Sequence, residues 1–249
     1  MSRTRAGVIA ILFAASTTAA QAQDEEMPVG SWAAEVALGL IVTSGNTETE
    51  SLSGNAQLVH EREYWRHTGK LEAFKSSQED PNTGEDQTTA DRWLASAKSD
   101  YKIGGGPNYL FAMVTYEDDR FSGYDYQASE VVGYGRNIIQ RPDMKLDAEV
   151  GVGARQRKEE VSGESVNDAI ARFGGKFEWN FTASATFAQE LNVETGEEAT
   201  ITTSLTSLSS QLVGNLAAKL AFRVKNVSDV PAGVDKTDTE TTANLVYKF

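Results

Sequence analysis

The sequence has no cysteine, two histidines and five prolines among its 249 residues, and each scarcity closes off a class of explanation. Without cysteine there is neither a disulfide framework nor a thiolate metal site, so stability has to come from backbone pairing and packing. With so few prolines and no shift in composition, nothing divides the chain into a second domain. His60 and His67 fall in one predicted turn, so neither can serve a nucleophile or activate water at the far end of the fold. The sequence also lacks a Gly-x-Ser-x-Gly elbow, a His-Glu-x-x-His pair and a Walker loop, and Gly104-Gly105-Gly106 runs into Pro107 rather than a helix. No enzyme, cofactor or metal is therefore expected.

Bases are scarce as well. Lys and Arg number 23 against 36 Asp and Glu, a formal charge of -13. That balance argues against a nucleic-acid partner and against a polybasic anchor on anionic lipid, and leaves small cations as the natural companions. Beyond residue 22 no run approaches the eighteen or more apolar residues of a membrane helix. The first 22 residues have the form of a secretory signal: Arg3 and Arg5, an apolar run from Val8 to Ala15, then small residues ending in Ala20-Gln21-Ala22. Cleavage near Ala22 would leave Gln23 to Phe249 as one domain.

What the chain does have is alternation. Leu216, Ala218, Leu220, Phe222 and Val224 interleave with Lys219, Arg223 and Lys225. Ala169, Ala171, Phe173, Gly175, Phe177, Trp179 and Phe181 interleave with Asp168, Arg172, Lys176, Glu178 and Asn180, leaving Ile170 as the exception. Leu146 to Ala154 alternate with Asp147, Glu149, Arg155 and Arg157, and Trp93 to Ile103 with Arg92, Lys98, Asp100 and Lys102. In the last segment Leu245, Tyr247 and Phe249 share a face, with Val246 the one apolar residue on the other. Period-two runs of this kind predict an all-β fold, a single transmembrane antiparallel up-and-down β-barrel of about 12 strands with apolar residues towards lipid. A hydropathy window averages such strands to neutrality, which is why no span is apparent.

The connections alternate too. Those near 46–50, 77–88, 117–125, 159–165, 194–198 and 228–238 hold nineteen of the 36 acidic residues against Arg120 and Lys236, whereas the intervening five balance three acids with three bases. Short turns on the periplasmic side and acidic loops on the outer side would sort charge in this way. Glu117, Asp118, Asp119, Asp125, Asp229, Asp235 and Asp238 then read as a solvated acidic rim, since their spacing matches no EF-hand.

The lumen-facing set expected from the alternation is Arg92, Lys98, Asp147, Glu149, Arg155, Arg157, Asp168, Arg172, Lys176, Glu178, Lys219 and Arg223, with Glu35 and Glu190 as further partners. A salt-bridged plug competes with a narrow water-filled pore, because twelve strands enclose a lumen that long charged side chains can largely fill. Trp32, Trp93, Trp179, Tyr101, Tyr109, Phe181, Tyr247 and Phe249 are expected in an aromatic girdle at the periplasmic interface. The function so expected is a passive narrow channel for small solutes or ions, or an envelope-stabilising protein. The competing class is a soluble periplasmic β-barrel with a ligand in its interior, which would bury its apolar faces instead.

Three stretches carry a family likeness: Thr43-Ser44-Gly45-Asn46-Thr47-Glu48-Thr49, Arg120-Phe121-Ser122-Gly123-Tyr124-Asp125-Tyr126 and Ser228-Asp229-Val230-Pro231-Ala232-Gly233. Together they resemble the YdiY-like salt-induced outer-membrane protein family. The resemblance implies an outer-membrane barrel of poorly defined function linked to salt response, and it brings no catalytic residues. The terminal Leu245, Tyr247 and Phe249 also resemble the C-terminal signal recognised by the barrel-assembly machinery, which with outer-membrane lipid makes up the expected partners.

Overall fold

The computed structural model describes residues 27–43, 49–80 and 83–249. The expected signal peptide and most of the first family stretch, residues 44–48, lie outside them. Twelve strands follow in order: β1 (Trp32–Thr43), β2 (Thr49–Glu61), β3 (Trp65–Glu79), β4 (Asp86–Lys102), β5 (Asn108–Asp119), β6 (Tyr124–Arg141), β7 (Met144–Glu159), β8 (Ser165–Asn180), β9 (Ala185–Gly196), β10 (Thr200–Val213), β11 (Leu216–Val227) and β12 (Thr237–Lys248). Each pairs antiparallel with its neighbour, and β1 pairs with β12 to close the barrel. The short turns lie at the end where β1 begins and β12 finishes, here termed the turn end; the opposite end is the loop end.

The β4–β5 turn shows how sequence sets a tight reversal. Gly104 and Gly105 both adopt positive φ, 61° and 67°, which a side chain would oppose, and Pro107 follows as a residue with no N–H to leave unpaired. The closing seam is the shortest ladder, from Glu35↔Lys248 to Leu38↔Leu245. Side chains reinforce it: Ser53 Oγ on β2 donates to Asn244 Oδ1 on β12 at 2.6 Å, passing over Gly39 of β1 where a Cβ would collide with both side chains.

Contacts between strands that are not neighbours decide which face is inside. Lys70 on β3 reaches Glu190 on β9, and Arg92 on β4 reaches Glu240 on β12, paths that run only through the barrel. The apolar residues therefore face outward. Phe173, Leu220 and Tyr247 are 52%, 54% and 39% exposed, while Arg172 is 7% exposed. Only hydrocarbon is a suitable solvent for such a surface, so the chain forms a transmembrane barrel and the soluble alternative, with its apolar interior, does not describe it.

The two apolar exceptions in the alternation have interior partners. Val246 packs with Ala37 and Ala217, and Ile170 with Tyr109, Phe111 and Val131. That cluster of Tyr109, Phe111, Val131 and Ile170 makes β5 and β6 apolar on both faces. Tyr109 consequently points inward and leaves the expected girdle, its ring lying where a Cβ on Gly135 would otherwise project. Trp93 is also displaced from the turn end: it stacks on Tyr116, which stacks on Tyr126, in a row towards the loop end. At the turn end Trp65 joins Tyr101 instead. The histidines lie on strands rather than in a turn, because β2 and β3 extend to within three residues of each other and pair His60 directly with His67 on the outer face. His60 stacks on Trp32 at 3.9 Å and His67 on Trp65 at 5.9 Å, extending the aromatic belt.

Val152, 63% exposed at the middle of β7, tests the outward face. Val152→Arg should lower stability by about 2–4 kcal/mol, the cost of a cation near the bilayer midplane, in guanidinium unfolding from phosphatidylcholine vesicles. A change within experimental scatter would mean that this face does not meet lipid.

Candidate functional site

The lumen is built by the inward half of the alternation, and all twelve charged residues expected there lie on the inward parity of their strands. Most of them join ion-paired groups at successive depths. Towards the loop end, Arg92 bonds Glu240 through Nε at 2.9 Å and Nη2 at 3.0 Å, with Glu72 at 3.5 Å and Glu117 at 3.8 Å. Lys225 bonds Glu117 at 2.7 Å, and Arg223 lies 3.6 Å from Glu117 and 3.4 Å from Glu240. Three cations thus meet three carboxylates contributed by β3, β4, β5, β11 and β12. Beside this group Arg155 donates from Nη2 to Asp168 at 2.8 Å and to the Ala199 carbonyl at 2.6 Å.

At mid-depth Lys98 pairs with Glu149 and Asp100, and Arg172 bonds Glu149 at 2.9 Å and Asn192. Tyr109 Oη donates to the same Glu149 at 2.9 Å. Here two cations meet two carboxylates over an apolar floor, with Lys98 Nζ 5.0 Å from the Tyr109 ring centre and 5.1 Å from that of Phe111. Inward glycines make room for these rings. A Cβ on Gly151 would lie 2.8 Å from the Val132 carbonyl oxygen and 3.1 Å from Phe111 Cζ. Nearer the turn end Lys176 lies 3.4 Å from Glu178 and 3.9 Å from Glu190, Lys70 lies 3.7 Å from Glu190, and Lys219 lies 3.6 Å from Glu35. Asp147 accepts from Asn137 rather than from a cation. At the opening itself Glu61 takes Arg66 and Lys102.

Two consequences follow. The loop half of the lumen is filled, with Arg92, Glu117, Arg155 and Asp168 all buried, whereas Lys176 and Glu178 nearer the turn end keep 38% and 39% of their side-chain surface beyond the buried Glu61 of the opening. The second is energetic: a buried ion gains stability only where opposite charge and hydrogen bonds replace its water, and shared partners supply that. Glu117 is the clearest case, and a correction. It is the tenth residue of β5, 5% exposed, and not part of the solvated rim. Extending the β5 alternation from Tyr109 and Phe111 by three more steps would have placed it inside. Glu72 and Glu240 were visible only as polar residues on strands, because pairing across a barrel is not encoded in local spacing. Among the described residues no group of three or more His, Cys, Asp or Glu is arranged to hold a metal.

A family model described as "Protein of unknown function, DUF481" matches residues 36–249. Uncharacterized protein YdiY of Escherichia coli (strain K12) is 24% identical over 212 residues, spanning 85% of this chain and 81% of the relative. Two solved structures to which the chain is similar are the NanC porin (TM-score 0.48, 12% identity, 86% of this chain and 98% of that one) and the KdgM porin (0.44, 13%, 87% and 99%).

Removing Glu117 should leave Arg92, Arg223 and Lys225 with two carboxylates. Glu117→Gln is expected to cost about 3–5 kcal/mol in chemical unfolding, and adding Lys225→Met should recover part of the loss. Equal stability of Glu117→Gln and the parent would show that the group does not hold the barrel.

Proposed function

Because the chain belongs to the DUF481 family, described only as proteins of unknown function, we propose from its own geometry that it is an outer-membrane barrel acting as a narrow, passive channel for small ions or solutes. The observation that carries this reading is the contrast along the lumen between a tight ion-paired layer in the loop half and the half-exposed Lys176 and Glu178 towards the turn end. The turn end faces the periplasm and the acidic loops face outward, following export as Gln23–Phe249 after loss of the signal peptide. Lipid covers the outer face. The last strand, with Phe249 N–H donating to the Ala34 carbonyl at 2.8 Å and the Tyr247 and Phe249 rings 4.7 Å apart, presents the aromatic edge offered to the barrel-assembly machinery.

The acidic outer loops enrich cations at low ionic strength. Their field decays over about 10 Å at 0.1 M salt and about 3 Å at 1 M, so the enrichment fades as salt rises. The buried loop-half pairs are shielded from that screening and set a barrier that salt alters little. This division links the protein to salt response without a sensor domain. The reading assigns no catalytic step and no cofactor. A second reading, a barrel that stabilises the envelope without conducting, draws on the burial of Arg92, Glu117 and Arg155 in the loop half of the lumen.

Planar-bilayer recordings separate the two. The parent is expected to show a small conductance, and Arg92→Ala/Glu240→Ala, which removes the cross-lumen tie, should raise it severalfold. If neither protein conducts, the channel reading fails and the envelope reading stands.

A further inference from the structure

Among the fully buried charges of the described residues, one at the loop end of the lumen lies outside the ion pairs. Nine charged side chains are buried among the described residues, and eight of them have an opposite charge within 4.0 Å. The ninth is Arg157, 3% exposed near the outer end of β7. Its Nη1 donates to Tyr124 Oη at 3.1 Å and its guanidinium stands 4.7 Å from the Tyr124 ring centre, contacts that satisfy part of the fork and none of the charge. Arg157 Nε has no hydrogen-bond acceptor, and neither do Nε and Nη1 of the wholly buried Arg155, two residues earlier on the same inward face. Asp168 cannot serve both arginines: one oxygen takes Arg155 and the other takes the Glu197 N–H at 2.9 Å.

Two adjacent guanidiniums share one carboxylate at pairing distance, with Glu194 acting on Arg155 only from farther off, so Arg157 remains a buried charge without a paired anion beside three donor nitrogens that lack acceptors. Burial of such a charge is unfavourable unless an anion supplies the missing acceptors. A planar fork with free donors favours an oxyanion over a spherical ion. A cover lies beside it. The β11–β12 connection, residues 228–236, reaches the β5–β6 turn on the far side of the barrel, where Val234 and Pro231 pack so closely on Gly123 that a Cβ there would lie 3.0 and 3.1 Å from their side chains. Gly123 directly precedes Tyr124, so the second and third family stretches meet over the arginine pair.

We infer that Arg157 with Arg155 forms an oxyanion-binding site at the outer end of the lumen, taking a small carboxylate or phosphate group when the 228–236 segment lifts from Gly123. The site rests on the reading of the lumen as a solute path and gives that path an anion-selective step inside a cation-attracting mouth.

Detergent-solubilised barrel of the full mature chain is titrated with inorganic phosphate at pH 7 and constant ionic strength, sodium chloride replacing phosphate, and the midpoint of chemical unfolding is followed. Saturable stabilisation by phosphate is expected, and Arg157→Gln should weaken its half-saturation by at least about tenfold, the loss of a charged hydrogen-bond donor. Arg157→Lys, which keeps charge but not the fork, should fall between. Without phosphate, Arg157→Gln should be as stable as the parent or more so, since it removes an unpaired buried charge. An unchanged phosphate response in Arg157→Gln, a response that does not saturate, or failure of Arg157→Gln to fold would each overturn the site. No current is measured, so such a failure leaves the channel reading standing.

Discussion

Everything in this barrel depends on leaving no strand edge unpaired in hydrocarbon. A free edge there leaves N–H and C=O groups with no water to bond, at several kcal/mol apiece, so twelve strands have to close on themselves. The β1–β12 ladder does this with few residues, and the Ser53–Asn244 hydrogen bond across Gly39 adds a side-chain tie where the backbone contribution is smallest. Closure fixes the circumference, and the circumference fixes what the interior can be. At this size Lys70 and Glu190, from opposite walls, come within 3.7 Å. A wider barrel would leave them in separate water, and a narrower one could not contain them.

That constraint explains why interior charge is grouped and not merely mixed. Surface ion pairs contribute little, and isolated buried pairs are barely favourable after desolvation. Glu117 meets Lys225, Arg223 and Arg92, and Arg92 meets three carboxylates, so each ion replaces lost hydration with several partners at once. The apolar patch of Tyr109, Phe111, Val131 and Ile170 belongs to the same solution. Inward glycines on β6 and β7 admit the rings, and the rings occupy volume that water would otherwise fill beneath Lys98 and Arg172.

The outer face was legible because lipid imposes a local rule: every second residue is apolar, whatever the distant strands do. Arg172 and Phe173 are assigned to opposite solvents by adjacent positions alone. The interior was legible only as a set. Parity places Glu240 inside, yet its pairing with Arg92 depends on the number of strands and on the stagger between β4 and β12, quantities that accumulate around the whole barrel. The misplacements of Glu117 and the two histidines share one origin, for all three lie near strand ends, where composition changes before backbone pairing stops. Ladder hydrogen bonds continue through polar residues, so β5 runs to Asp119 and β2 to Glu61. Reading the end of apolar composition as the end of a strand put Glu117 into a loop and His60 into a turn.

A lumen whose groups are internally neutral presents little net field to a passing ion, however many charges line it. Its selectivity is governed by whatever remains after cancellation. In the loop half the charges outside the ion pairs are of both signs, Arg157 with the carboxylates of Asp119, Glu194 and Asp238, beneath loops that are acidic. On the channel reading proposed above, an ion of either sign would meet both attractive and opposing groups there, which would restrict flux without a narrower bore. The contact between the 228–236 segment and Gly123 lies beside those groups, which is why the proposed anion site and the proposed path would share one point of control.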